Sequence, residues 1–324
     1  MSGNRVPGAL PGGSEETREQ WARRKDGPPR TLTAGLGQAA RRHREFDPAL
    51  KHFDAAYGPT DGVVTDPALR ARWQTARRHA LDLVLAAVAK SPWADALVLR
   101  GSMLMSAWFG AAARPPKDID FVVVPDTWRI DEPRTEQLLD GIARAAEQEA
   151  RAHGADGLAF VAADAVAEYI WTYERVPGLR LAVPWTVPGL PGGQVQIDLV
   201  FQERLPRPAV PVEVAGVVVA AASPELSLAW KLLWVSCDMY PQGKDLYDAV
   251  LLAERFPVPL DLLERVLREA DEWPGSYDEP LHAGMFADAI EESDHPDPAL
   301  GPRLLAALAP LFEESAAAKA ADRS

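Results

Sequence analysis

The sequence predicts an α+β protein, with a mixed-sheet domain followed by an all-helical C-terminal domain. Three observations lead there. Short apolar runs bounded by Gly, Pro and Asp recur between residues 97 and 221, as strands do. Helix-spaced stretches lie before and among them, over 67–90 and 134–153. From Ser223 onward the pattern turns helical, and mixed α/β followed by all-helix suggests two domains. The length of 324 residues fits one or two domains, and a hydrophobic share of 47% is enough for a sizeable core. The division expected is a flexible basic arm over 1–60, a mixed-sheet domain over 61–222 and a helical domain over 223–324.

Residues 1–30 are rich in Pro, Gly and charge, the composition of a disordered leader. One or two amphipathic turns fit 18–25, and a short helix fits 38–44. Thr65-Asp66-Pro67 is a helix start, a capping residue followed by Pro at the first helical position. That helix runs to about Lys90, buries Leu81, Val84, Leu85 and Val88, and ends at Ser91-Pro92. Leu97–Leu99 is an apolar strand leading to Gly101-Ser102, and a helix follows over about 102–109. Asp118 opens a second strand that continues to Val124 and is closed by Pro125-Asp126. After the 134–153 helix and Gly154 comes a short strand, Leu158–Val161, while 163–173 fits neither period. Leu179–Val187 and Gln194–Gln202 read as two strands joined by a Pro- and Gly-rich hairpin connection over 188–193. Pro211–Ala221 reads as one further apolar strand. Ser223-Pro224-Glu225 starts a helix, with an acid in the first turn where the dipole favours it. Helices are expected at about 224–236, 244–256, 259–272, 280–291 and 297–318.

Composition excludes several function classes. No run of eighteen apolar residues marks a membrane span, and the N-terminus lacks the apolar core of a secretory signal. The single cysteine, Cys237, excludes an internal disulfide and fits a reducing cytoplasm. Its neighbours Trp234, Val235 and Met239 make it read as a small buried hydrophobe. The six histidines form no metal spacing, and neither a Walker A motif nor a dinucleotide G-x-G-x-x-G is present. A net charge of −13 argues against a broad, sequence-blind nucleic-acid surface. Residues 1–60, however, hold ten Lys/Arg against seven Asp/Glu, a net of +3, which leaves −16 on the rest. A basic arm on an acidic body permits a local RNA contact.

The chemistry concentrates between Leu97 and Val124. Side chains two apart on a strand share a face, so Asp118 and Asp120 stand together, opposite Ile119 and Phe121. Two adjacent carboxylates repel, and a divalent cation is the usual remedy. The Gly101-Ser102 turn leading into a helix offers backbone N–H groups and a hydroxyl to a phosphate. Each half is common on ordinary strands and turns; the ordered combination reads as a metal–nucleotide site. Four further residues are open to two readings. Asp198 shares a strand face with Gln196 and Val200, so it either decorates an exposed face or joins a site. Lys231 sits among Leu and Trp, where its stem can lie on apolar surface with the ammonium in water. Asp245 and Asp248, three apart near a helix start, suit the dipole there.

The stretch resembles the nucleotidyltransferase fold of the DNA polymerase β superfamily. More narrowly it resembles the AbiEii/AbiGii toxin family of type IV toxin–antitoxin and phage-resistance systems. The likeness rests on Gly101-Ser102-Met103-Leu104, Arg114 and Asp118-Ile119-Asp120-Phe121. It extends to Val195-Gln196-Ile197-Asp198-Leu199, to Pro224-Glu225 with Lys231-Leu232, and to Lys244-Asp245-Leu246-Tyr247-Asp248. It covers Ala68 to about Phe256 and departs at Pro115-Pro116-Lys117, where family members have a Phe and small polar residues.

The resemblance implies two Mg²⁺ ions, with Mn²⁺ as an alternative, on Asp118 and Asp120. Asp198 shares the ion nearer the acceptor and helps deprotonate its hydroxyl, the ions standing about 3.5–4 Å apart. Ser102, with the Gly101 and Ser102 backbone, meets the triphosphate of an NTP, and Lys231 faces it. Arg114 reaches either a phosphate or only the protein surface. Asp245 orients Lys231 or Lys244, and Asp248 remains a helix-start acid. Tyr240, Trp230 and Trp234 have rings that stack bases, but helical spacing makes them core first. The implied activity is transfer of an NMP from an NTP to a cellular acceptor, RNA and in particular the tRNA 3′ end, by a cytoplasmic toxin with a cognate antitoxin. A small-molecule acceptor of the antibiotic type and a non-catalytic NTP-binding regulator are the alternatives.

Overall fold

The computed structural model describes residues 31, 44–46, 57–59, 64, 66–170, 176–237, 242–271, 279–293 and 295–322. The chain divides into two units. One holds Met1–Trp108, Arg114–Arg204 and Pro211–Ala221; the other holds Phe109–Ala113, Leu205–Val210 and Ala222–Ser324.

In the first unit β1 (Arg44–Phe46) pairs antiparallel with β2 (Tyr57–Pro59). Helix α1 (Pro67–Lys90) starts as its sequence dictates, with the Asp66 carboxylate accepting from the Leu69 N–H at 2.7 Å and Pro67 next. Its expected stripe of Leu81, Val84, Leu85 and Val88 is buried. There follow β3 (Leu97–Arg100), α2 (Ser102–Phe109), β4 (Ile119–Val123) and α3 (Pro133–His153). Then come β5 (Ala159–Phe160), β6 (Val166–Ile170), β7 (Gly178–Thr186), β8 (Gly193–Val200), β9 (Val210–Val214) and β10 (Val217–Ala221). Strands β5 to β10 join β3 and β4 in one sheet of order β5-β7-β8-β4-β3-β10-β9, with β6 also on β7. The sheet is mixed: β4 runs parallel to β8 and β3 to β10, while β3–β4 and β7–β8 are antiparallel. Helix α1 lies on α3, β8 and β10, and α3 on β5. The fold is thus the α+β arrangement that the sequence predicts, with helices and no strand among the described residues after β10.

Two details differ from the sequence reading. Residues 211–221 are a hairpin rather than one strand. Ala215 (φ 51°) and Gly216 (φ 80°) both take left-handed backbone, as a two-residue type I′ turn demands. Ala in place of the usual Asn or Asp hides that turn. The undecided stretch 163–173 contains β6, an antiparallel partner of β7. Of the expected arm, residues 18–25 and 38–43 lie outside the described residues, and Arg44 is in β1. Thr31 is fully buried in the first unit.

The second unit is helical: α4 (Pro224–Cys237), α5 (Gly243–Ala253), α6 (Leu260–Glu269), α7 (Gly284–Glu292) and α8 (Leu300–Asp322). Helix α4 packs on α5, α6 and α7, and α8 on α5, α6 and α7. The two short pieces are tied to it locally. The Tyr247 hydroxyl donates to the Ala112 carbonyl at 2.8 Å, and Arg207 pairs with Asp261 at 2.9 Å. The side chain of Cys237 lies outside what is described. Among the described residues no helix is long and apolar enough to cross a membrane.

Candidate active site

The Gly-Ser turn lies between β3 and α2. Gly101 has φ +79°, a conformation that favours glycine, and its carbonyl accepts the first α2 bonds, from Leu104 and Met105. A Cβ at Gly101 would meet Asp120 Oδ2 at 2.2 Å, so glycine lets the turn approach the carboxylate. The Ser102 hydroxyl donates to Asp118 Oδ1 at 3.1 Å, joining the turn to the first aspartate. Asp118 directly precedes β4 and Asp120 lies within it; both are half-buried, while Ile119 and Phe121 are buried on the opposite face. Arg114 is half-buried in the segment leading to Asp118.

Strand register extends this pair into a row. Arg100 on β3 stands opposite Asp120 on β4, Asp120 opposite Asp198 on β8, Asp198 opposite Arg180 on β7, and Arg180 opposite Glu168 on β6. Residues paired in this way project from the same face. Five charged side chains therefore cross five strands in one line, in the order +, −, −, +, −. Arg100 is further paired with Glu203 at 2.7 Å. Asp198 is neither alone nor a surface decoration. Its two oxygens accept from Arg180 Nε and Nη2, each at 2.8 Å, and Arg180 is 3% exposed. With its amide oriented to satisfy its neighbours, Gln196 also accepts from these nitrogens, at 3.1 and 3.0 Å. Arg180 is the residue that the sequence reading passed over. The signal was a lone cation in an apolar strand whose hairpin partner is the Asp198 strand.

The donor set at this row is carboxylate oxygen with one nearby hydroxyl, which suits a hard cation such as Mg²⁺ or Mn²⁺. Asp120 and Asp198 face each other on parallel strands, where two carboxylates repel and a cation relieves the repulsion. Among the described residues no three His, Cys, Asp or Glu side chains gather closely enough to hold a metal by themselves. Asp198 turns both oxygens to Arg180, and Asp118 and Asp120 are the other two carboxylates that could take part in holding a cation.

In the second unit Lys231 projects from α4 onto α5. Its ammonium lies 2.5 Å from Asp245 Oδ1, 3.3 Å from Asp248 Oδ2 and 4.8 Å from the centre of the Trp234 ring. Lys231 is only 7% exposed, so its charge is paired rather than placed in water. Of the two partners expected for Asp245, it holds Lys231, and Lys244 is exposed. Asp248, read from the sequence as a helix-start acid, is 1% exposed and lies 3.3 Å from the Lys231 ammonium in the buried cluster. Trp230 is core and Trp234 half-buried, while Tyr240 lies outside the described residues.

A model of the family described as nucleotidyl transferase AbiEii toxin, type IV toxin–antitoxin system, matches residues 83–321. Among solved structures the chain is similar to JHP933 from Helicobacter pylori. The identity is 13%, the likeness covers 78% of this chain and 97% of that one, and the TM-score is 0.47. It is also similar to an antigenic nucleotidyltransferase-like protein from Paracoccidioides brasiliensis. There the identity is 15%, the coverage 65% of this chain and 93% of that one, and the TM-score 0.31. No curated protein matches the chain.

Proposed function

The chain belongs to the AbiEii nucleotidyl transferase toxin family of type IV toxin–antitoxin systems, and on that premise we propose that it moves an NMP from an NTP to RNA, at the tRNA 3′ end, in a reaction that needs Mg²⁺ or Mn²⁺. The observation that carries the reading is Asp120 and Asp198 opposed on parallel strands, with Asp118 and the Gly101-Ser102 turn beside them. Bound metal supplies neutralisation of charge on the triphosphate and on the oxygens that exchange at phosphorus. Asp118 and Asp120 would hold it, with Asp198 beside them on β8.

The chain's own groups do the remaining work. The Ser102 hydroxyl and the N–H groups at the start of α2 receive phosphate oxygens. Asp198 takes the proton of the acceptor hydroxyl as that oxygen bonds to the α-phosphorus and pyrophosphate leaves. Lys231 on a phosphate and Asp245 as its orienting partner belong to the same proposal. The family pattern supports the first, and the 2.5 Å Lys231–Asp245 pair supports the second. Arg114 is a further candidate for a phosphate. The partner implied is an antitoxin protein. A net charge of −13 favours a second reading in which a small molecule is the acceptor.

The test is incubation of purified protein with total RNA, Mg²⁺ and each labelled NTP in turn. The expected result is label on small RNA from one NTP, lost in excess EDTA and restored by Mg²⁺ or Mn²⁺. Label on no RNA, but on a small acceptor, supports the second reading. Full activity in excess EDTA removes the metal.

A further inference from the structure

We infer that Arg180 is the positioning residue of the third carboxylate, and that Glu168, itself held by Thr31, backs Arg180 from the far side, so that Thr31 is an outer support of the candidate active site. This rests on the reading of Asp198 as a participant in transfer.

A guanidinium that is 3% exposed needs balancing charge, and the register supplies a carboxylate on each side, Glu168 on β6 and Asp198 on β8. Toward Asp198 the fork is complete: two parallel N–H···O bonds of 2.8 Å fix the plane of the carboxylate as well as its position. Glu168 is 1% exposed and is itself held from outside the sheet. Its Oε2 accepts from the Thr31 N–H at 2.9 Å and from the Thr31 hydroxyl at 2.7 Å. The Thr31 carbonyl accepts from Gln194 Nε2 at 2.5 Å, and Gln194 is on the Asp198 strand. One residue, 137 positions before Glu168, thus ties the far end of the charged row to β8.

Asp198 can take an acceptor proton, and share a cation with Asp120, only in a narrow range of orientations. A misplacement of about 1 Å costs as much as a hundredfold in rate. Arg180 sets that orientation and keeps the carboxylate from swinging along the strand face. Lys in its place keeps the charge but not the fork.

The test compares Arg180→Gln, Arg180→Lys, Thr31→Val, Asp198→Asn and the double variant Arg180→Gln/Asp198→Asn in the full chain. Transfer kinetics, binding of Mn²⁺ alone by EPR titration and thermal unfolding are read for each. Arg180→Gln is expected to lower kcat about ten- to a hundredfold with KM for NTP nearly unchanged, Arg180→Lys to recover part of it, and Thr31→Val to lose a few-fold. In the Asp198→Asn background the Arg180 change should add nothing, neither to kcat nor to Mn²⁺ affinity, because it acts through a group already removed. Additive losses, or unchanged or raised kcat per folded molecule in Arg180→Gln, overturn the inference. Where Arg180→Gln does not fold, Arg180→Lys and Thr31→Val carry the same comparison, and unaltered kcat in both overturns it. A silent Asp198→Asn overturns the reading of Asp198 itself. A damaging Asp198→Asn with additive Arg180 effects overturns only the role of Arg180.

Discussion

Gly101 and Asp120 stand so close that no methyl group fits between them: a Cβ on Gly101 would lie 2.2 Å from Asp120 Oδ2 and 3.0 Å from its carboxyl carbon. Gly101 also holds φ +79°, where an L side chain is strained. Gly101→Ala therefore pushes the Asp120 carboxylate aside and strains the turn. The expected outcome is a loss of stability of about 1–3 kcal/mol and a drop in transfer of tenfold or more. Chemical denaturation and steady-state kinetics on the same preparation check it. Wild-type rates in that variant would mean that Asp120 swings clear at no cost to the site.

Asp198→Asn keeps shape, removes charge and basicity, and takes one carboxylate from the buried Arg180, so rates are read per folded molecule. A positioned base contributes about 10²–10⁴-fold, so transfer should fall by that order while NTP still binds through Ser102 and its neighbours. Nucleotide titration alongside transfer assays separates the two. A variant that transfers at the unmodified rate would take Asp198 out of the chemistry.

Lys231→Ala removes the cation from two buried carboxylates, Asp245 at 2.5 Å and Asp248 at 3.3 Å. Breaking a buried pair on one side costs about 3–5 kcal/mol, so the substitution should first destabilise the helical unit. A phosphate role predicts, in addition, a ten- to hundredfold weaker use of NTP by the folded fraction. Thermal melts and kinetics corrected for the folded fraction distinguish the two. An unchanged melting temperature would contradict the buried pairing.

The Arg303 guanidinium on α8, hydrogen-bonded at 2.8 Å to Glu254 just after α5, holds the Glu254 carboxyl below its usual range. A carboxylate depressed on folding stabilises above its unfolded pKa, and that stability fades as pH falls through the folded pKa. Wild type should therefore melt slightly above Glu254→Gln at pH 6–7, and the gap should close in acid below the ordinary carboxylate range. The pair is exposed, so solvent screens it and the gap is small. A gap that widens in acid would reverse the sign.

What the sequence by itself determined is what short-range patterning encodes. Period-two alternation separates Asp118 and Asp120 from Ile119 and Phe121, and the cap at Asp66-Pro67 starts α1. The Gly-Ser turn, whose glycine carries a positive φ, could be read from two adjacent residues. The helical run after Ser223 was legible for the same reason. What only the tertiary structure decided depends on register and on contacts far apart in the chain. Asp198 meets Arg180 because the β7–β8 hairpin closes in one register, and a shift of one residue would put Arg180 on the other face. Asp248 joins Lys231 only because α4 and α5 pack with those turns together. Thr31 reaches Glu168 across 137 residues, a contact that no local propensity announces. Local periodicity names the chemical groups, and long-range packing decides which of them touch, because a side chain's partners are set by strand register and helix packing rather than by its neighbours in sequence.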